Sequence, residues 1–546
     1  MSEGAATGTP PAESAAALMS RRNIVIAVVG CFATLLLALL DQNIVSAVSW
    51  TMVRDLDPIN GVGHLPWLLT AYTLADCIVL PLYGKLCDVY GSKRIYLVSL
   101  GTFLVGSALC GIAQNMTELI AFRALQGVGG GGLMSVTMVV LGLLVRPSTT
   151  VADEAASGEG SSKVGMGGIM VGLGIAVGPG IGGLVADHLN WRWVFYINMP
   201  LGIAAFVTSL ALLRLPAITV KRRIDYAGAA LIGAAASALL LISQWGGRSY
   251  AWTSPMILGV GGAGLILLAA FAWRQSTAAE PIISLALLRN PVFRTLAPLG
   301  FLAGIGLSGS VAYMAGYLQE ARGLSPAAAG LWLLPMAVGM TLIGLLSGKA
   351  MAGLTGRHKY QLSAGYLLIC VSMLIFSRLG TDTSFWLMGI GLFLLGLGLG
   401  LCLGIGLMIG QSAVDVADLG VATTSLRFAQ QLGASAGLAL FGTVLNRQLA
   451  MKLNSSAGAA DANGQLNTAA LATLSPAQHA SALNAIVSST HTVFLIATCI
   501  MILPAVMSLF LKERPAPASN VRQQSAADRS GYRTAARATG RADLKD

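Results

Sequence analysis

Two charges stand where the surrounding chain makes charge expensive. Asp41 lies in LALLDQNIV and Arg123 in LIAFRALQGV, each set among aliphatic residues. At the centre of a bilayer a charged side chain costs roughly 2.5–3.5 kcal/mol or more. Each must therefore face a protein interior and find a partner of opposite sign. A buried acid feels two opposed pulls, since burial favours its protonated form and a nearby cation favours the carboxylate. Such a group takes up or releases a proton according to what arrives beside it. Gln126 follows Arg123 three residues on, along the same helical face, and reads as a residue lining a substrate cavity. Asp76, in YTLADCIVL, and Arg427, in SLRFAQQLG, are further charges within apolar runs. Asp76 reads as a second protonation or substrate-cation site, or as a plain pore-facing polar residue. Arg427, with Gln430 one turn later, reads as a helix-packing group or as a partner for substrate anions in a cavity.

Bond-making chemistry is poorly supplied. The seven cysteines lie within or at the edge of apolar runs and form no CxxC pair, and the five histidines are scattered. No catalytic residue, metal site or cofactor is expected, and the chain does not read as an enzyme. SGKA at 347–350 lacks the spacing and the Ser/Thr of a nucleotide-binding loop. Energy for any transport must then come from an ion gradient, worth about 2.3 kcal/mol per elementary charge per 100 mV. The net charge of +11 comes without basic runs interleaved with aromatics, so no nucleic-acid partner is expected.

The elements that hold these residues follow from composition. The chain has 546 residues, 55% of them hydrophobic and 10% charged, with a mean hydropathy of +0.73. A soluble chain carries about a quarter charged residues, so lipid must cover most of this one. A span needs about 20 apolar residues. Runs of that kind stand near 24–50, 66–84, 95–113, 118–144, 164–187, 195–213, 226–244, 254–273, 293–318, 326–350, 360–378, 384–411, 419–445 and 489–511, fourteen in all. In lipid every backbone polar group must be satisfied internally, which makes these spans helices. The fold class is all-α and polytopic.

Lys and Arg cluster in the even-numbered connections (Lys85, Lys93, Arg94; Lys221, Arg222, Arg223; Arg357, Lys359). The positive-inside rule then places both termini in the cytoplasm of a multi-pass protein of the cell membrane. Residues 1–22 read as a disordered N-terminus, and 23–215 as a first six-helix bundle. A linker with two additional helices occupies 216–290, and 291–512 form a second six-helix bundle with an external loop at 446–488. A disordered basic tail covers 513–546.

Between the second and third spans stands GKLCDVYGSKR, with Gly84, Asp88, Gly91, Lys93 and Arg94. Its glycines permit tight turns, Asp88 can accept from helix N-termini, and Lys93 and Arg94 can pair with acids. The bland alternative is an ordinary charged turn. The fifth span reads GLGIAVGPGIGG. Gly174, Gly178 and Gly182 repeat every fourth residue beside Pro179 and Gly183, giving one small-residue face and a bend. WRWVFYINMP (191–200) suits an interfacial aromatic girdle.

These strings, with WLLTAY (67–72), GLSPAAAGLWLLP (323–335) and LRFAQQLGASAG (426–437), resemble the major facilitator superfamily. They are most similar to its fourteen-span drug:proton antiporters of the multidrug efflux type. The resemblance implies two six-helix bundles joined by two inserted helices, with a site at mid-membrane between the halves. It implies that Asp41 and Arg123 serve proton coupling, beside which Asp76 is read from its own burial among apolar residues as a modifier, that 84–94 is a gating loop, and that 174–183 is the antiporter helix. Two departures stand out. The family carries a small or apolar residue where Asp76 stands, and the 145–163 connection lacks the expected charged turn. The implied function is proton-coupled export of small hydrophobic or cationic compounds such as antibiotics. The implied partners are that substrate, protons and membrane lipids, with the chain a monomer. A dedicated exporter of an endogenous lipid or secondary metabolite is the alternative in the same class. A sensor or assembly factor without transport would instead tolerate loss of Asp41 and Arg123.

Overall fold

A computed structural model describes residues 19–57, 61–145, 190–215, 224–246, 250–278, 280–282, 287, 289–353, 358–414, 418–453 and 476–511. Its long helices are α1 (Arg21–Leu56), α2 (Gly61–Tyr90), α3 (Ser92–Ile112), α4 (Met116–Val145), α5 (Asn198–Leu212), α6 (Tyr226–Trp245) and α7 (Pro255–Thr277). The second part adds α8 (Pro291–Gly316), α9 (Leu334–Gly353), α10 (His358–Phe376), α11 (Phe385–Ser412), α12 (Leu419–Leu453) and α13 (Pro476–Met507). Thirteen of the fourteen apolar runs thus carry a helix. The fifth run, with Gly174, Gly178, Pro179, Gly182 and Gly183, lies outside the described residues. So do the 146–163 stretch, residues 1–18, residues 454–475 and the tail from 512, while 446–453 and 476–488 of the expected external loop instead extend α12 and α13. Among the described residues, eleven helices are long and apolar enough to cross a membrane.

Several helix starts are written in the local sequence. Ser254, Asn290 and Ser325 each precede a proline at the first helical position, and each side chain accepts from a backbone N–H two or three residues on. The proline has no N–H to leave orphaned there, and the cap satisfies one that is.

The apolar side chains form two principal cores. One gathers Phe32, Leu35, Tyr72, Tyr96, Phe103 and Val136 from the first four helices. The other draws Leu296, Met336, Tyr366, Phe376, Leu395 and Phe494 from α8 to α13. The inserted pair α6–α7 belongs to neither. Ile232, Ala236, Leu240 and Phe271 pack on Cys77 and Leu80 of α2 and on Phe428 of α12, so the pair straddles the line along which the two parts meet. Its outer surface stays apolar and open, with Leu265 at 70% and Ile266 at 72% exposure, as a lipid-facing helix requires.

Candidate functional site

Asp41 is twenty residues into α1, and Arg123 is seven residues into α4, which runs the other way. The two meet inside the first core, at 0% and 1% exposure. The Arg123 guanidinium donates to Asp41 Oδ2 at 2.7 Å and to Gln126 Oε1 at 2.7 Å. Gln126 donates in turn to Asp41 Oδ1 at 2.8 Å, closing a ring of three side chains. The guanidinium lies over the Tyr72 ring, 4.4 Å from its centroid, a favourable seat for a desolvated cation. Arg123 Nε is buried with no hydrogen-bond partner among the described residues.

A fourth member escaped the reading of the sequence. Asn198, the first residue of α5, donates to Asp41 Oδ1 at 2.8 Å and to Ser107 Oγ at 3.1 Å. Ser107, on α3, donates to the Phe195 carbonyl at 2.9 Å. The amide in WVFYINMP was the available signal, as the single amide side chain within an aromatic and aliphatic string. The same string does more than line an interface. Trp191 and Arg192 donate to Asp55 at 2.9 and 3.0 Å, and Arg192 also donates to the Ala113 carbonyl. Asp55 sits beyond the apolar run of α1, where the Trp191 hydrogen bond, with Arg192 adding to it, holds its carboxyl below the usual range. This clamp fixes the start of α5, and hence Asn198, against α1 and α3.

The cluster is built wholly from α1 to α5, so it sits inside the first part and not at the mid-membrane seam between the two. Gln126, expected to line a cavity, is fully buried within it. Arg427 and Gln430 do lie at the seam, on α12, where Arg427 donates to Gln430 at 3.1 Å. Asp76, on α2, is buried opposite and attracts Arg427 electrostatically. The structure therefore brings Asp41, Arg123 and Gln126 together and sets Asp76, Arg427 and Gln430 apart as a second polar group.

The GKLCDVYGSKR string corrects two expectations. Gly84 lies within α2, not in a turn. A Cβ there would press on Thr424 and stand 3.0 Å from the Gly420 carbonyl, so glycine permits the close approach of α2 and α12. Gly91 is the turn residue, with φ +88° between α2 and α3. Asp88 accepts from the backbone N–H groups of Gly420 and Val421 at 3.0 and 3.1 Å, in the first turn of α12. Those groups lack intrahelical partners and carry the positive end of the helix dipole. Lys93, expected to pair with an acid, donates to the Leu210 carbonyl at 2.8 Å near the end of α5, where partial negative charge serves the same purpose. Arg94 is exposed. Lys85, at 5% exposure, pairs with Glu280 beyond α7 at 3.4 Å, a contact the sequence did not signal. Gln411 of α11 donates to the Met138 carbonyl of α4 at 3.2 Å and joins the two parts at the same end.

The site thus holds a buried acid whose two oxygens are taken by a guanidinium and two amides. Among the described residues no group of three or more His, Cys, Asp or Glu is placed to hold a metal. A family model described as Major Facilitator Superfamily matches residues 30–438. The multidrug transporter protein MdtP of Bacillus subtilis is 34% identical over 428 residues, covering 78% of this chain and 76% of that protein. Multidrug resistance protein 3 of the same organism is 30% identical, with 78% and 80% covered. An uncharacterized MFS-type transporter of Mycobacterium tuberculosis is 34% identical, with 88% and 68% covered. The human organic anion transporter MFSD10 (TETRAN) shares the fold at a TM-score of 0.58 and 16% identity, over 88% of this chain and 99% of that one. The chain belongs to the Major Facilitator Superfamily and is a multi-pass membrane transporter, not an enzyme.

Proposed function

We propose that this transporter is a proton-coupled antiporter exporting small hydrophobic or cationic compounds across the cytoplasmic membrane. The observation that carries the reading is the dry Asp41–Arg123 pair inside the first part. Desolvating two charges costs several kcal/mol each, and well-packed apolar residues often serve stability equally well. A pair kept under those terms is explained by use. The words multidrug transporter and multidrug resistance in the names of the two Bacillus subtilis relatives favour export as its direction.

The cycle exchanges one cargo for the other. Substrate enters from the cytoplasm or inner leaflet and Asp41 gives up its proton to that side. The carboxylate so formed is taken by Arg123, Gln126 and Asn198, the arrangement described above. The two parts are then shut at the α2–α3 end by Asp88, Gly84 and Gln411. Substrate leaves outward, and a proton arriving from outside neutralises Asp41 and resets the protein. Asp76 and Arg427, across the seam, bias which charges the central path accepts.

Purified protein in weak buffer should release protons when a lipophilic cation is added, and Asp41→Asn should not. Binding without proton release at every pH between 5 and 9 would refute antiport. Orientation rests on the basic residues of the even connections. Cysteines placed as Pro10→Cys and Ser530→Cys should stay unlabelled by impermeant reagents in intact cells, while Gln465→Cys is labelled. External labelling of either terminus would invert the scheme.

A further inference from the structure

From its two hydrogen bonds we infer that Asn198 is a positioning residue for Asp41, one that ties α5 to the charge state of that carboxylate. The inference rests on the reading of Asp41 as the proton site and adds to it the element that responds.

The amide's orientation is dictated by its neighbours. The Ser107 hydroxyl spends its only proton on the Phe195 carbonyl, so its oxygen has lone pairs to offer and nothing to give. Asn198 Nδ2 supplies an N–H to that oxygen at 3.1 Å and another to Asp41 Oδ1 at 2.8 Å. Turned over, the amide would set its carbonyl against the carboxylate and against the Ser107 lone pairs at once. Asn198 thus faces Asp41 only as a donor.

That fixed polarity discriminates between the two forms of Asp41. The carboxylate is acceptor-only and takes every donor aimed at it, with Oδ1 receiving Gln126 and Asn198 and Oδ2 receiving Arg123. A proton on Oδ1 would point at N–H groups, and a proton on Oδ2 would point at the guanidinium. Either way at least one donor is displaced, and the remaining contacts to a neutral acid are weaker than to a charged one. Asn198 is the first residue of α5 and the link from that helix to Asp41, so the loss loosens α5 from α1. Among the described residues, the other groups facing Asp41 are Arg123 and Gln126 from α4, Tyr72 from α2 stacked on Arg123, and Cys110 from α3 held through Gln126 at 3.6 Å. Asp76 stands one turn beyond Tyr72 on α2. None of these is on α5, so protonation reaches that helix through Asn198.

The test is the pH profile of ethidium transport in proteoliposomes holding the full chain. Removing a donor favours the protonated form, so Asn198→Ala should move the midpoint of the profile upward by about one pH unit. Ser107→Ala frees the amide to turn over and should move it the same way by less. A lower rate with an unmoved midpoint in both variants, or a shift downward, overturns the inference and leaves Asn198 as packing. If Asn198→Ala does not fold, the midpoint of Ser107→Ala decides alone. Asp41→Asn, run beside them, separates the two levels. Loss of transport there with unmoved midpoints here overturns only the role of Asn198. A parental profile in Asp41→Asn overturns the proton site and the inference together.

Discussion

Asp41→Asn should bring export driven by a pH gradient down to the level of vesicles without the protein, yet leave the chain inserted and folded. The substituted side chain has nearly the same volume and cannot lose a charge to the gradient. It does disturb the ring. One of the two carboxylate oxygens becomes an N–H donor, and it must face either Arg123 or the amides of Gln126 and Asn198, all of which donate to this position. Removing one partner of a buried ion pair costs about 3–5 kcal/mol. The cost lands on a conformation and not on the fold, because in the proposed cycle a neutral side chain at 41 is what the protonated transporter carries at every turn. The variant is therefore biased toward the arrangement in which Arg123 lets go. Uptake of a fluorescent cation into inverted vesicles under an imposed pH gradient measures the loss. Counterflow exchange of the same cation with no gradient should persist, which distinguishes uncoupling from misfolding. Parental uptake with intact pH dependence would make Asp41 structural and turn attention to Asp76.

The part of this site that could be read from sequence was the part with a price in lipid. Asp41 and Arg123 declare themselves because no membrane helix tolerates them idly, and Gln126 follows from helical spacing. Asn198 did not declare itself. Its amide costs far less to bury than a charge, and it sits in a string whose aromatics already had an interfacial explanation. Its partner is also 157 residues away in sequence. The pairing of Lys85 with Glu280 was hidden for a related reason, since each looked like an ordinary charge in a connection near the membrane surface. Length and hydropathy located the helices well. They were silent on packing, so Gly84 read as a turn when the structure uses it for contact between helices.

A larger conformational effect is expected from Asp88→Ala. Asp88 takes the N–H groups of Gly420 and Val421, so α2 caps the first turn of α12 across the seam between the two parts. Caps of this kind are worth about 0.5–2 kcal/mol, and a charge at a helix N-terminus adds about 0.3–1 kcal/mol. The energy matters because it exists only while this end is closed. When α2 and α12 separate, water satisfies both N–H groups and the carboxylate, and a contact present in one state alone moves the equilibrium by its whole worth. At about 1.4 kcal/mol per factor of ten, the variant should raise the population open at the α2–α3 end by about tenfold. Thr424 reports on it, being 1% exposed and packed against Gly84. In a background without the seven native cysteines, Thr424→Cys should react with a thiol reagent about tenfold faster when Asp88→Ala is added. Asp88→Asn should fall between the two, because it keeps an acceptor but not the charge. Equal labelling rates in all three would mean that packing at Gly84 holds this end shut without the cap. Gly84→Leu would then be the variant that opens it, since its side chain cannot fit against the Gly420 and Val421 backbone.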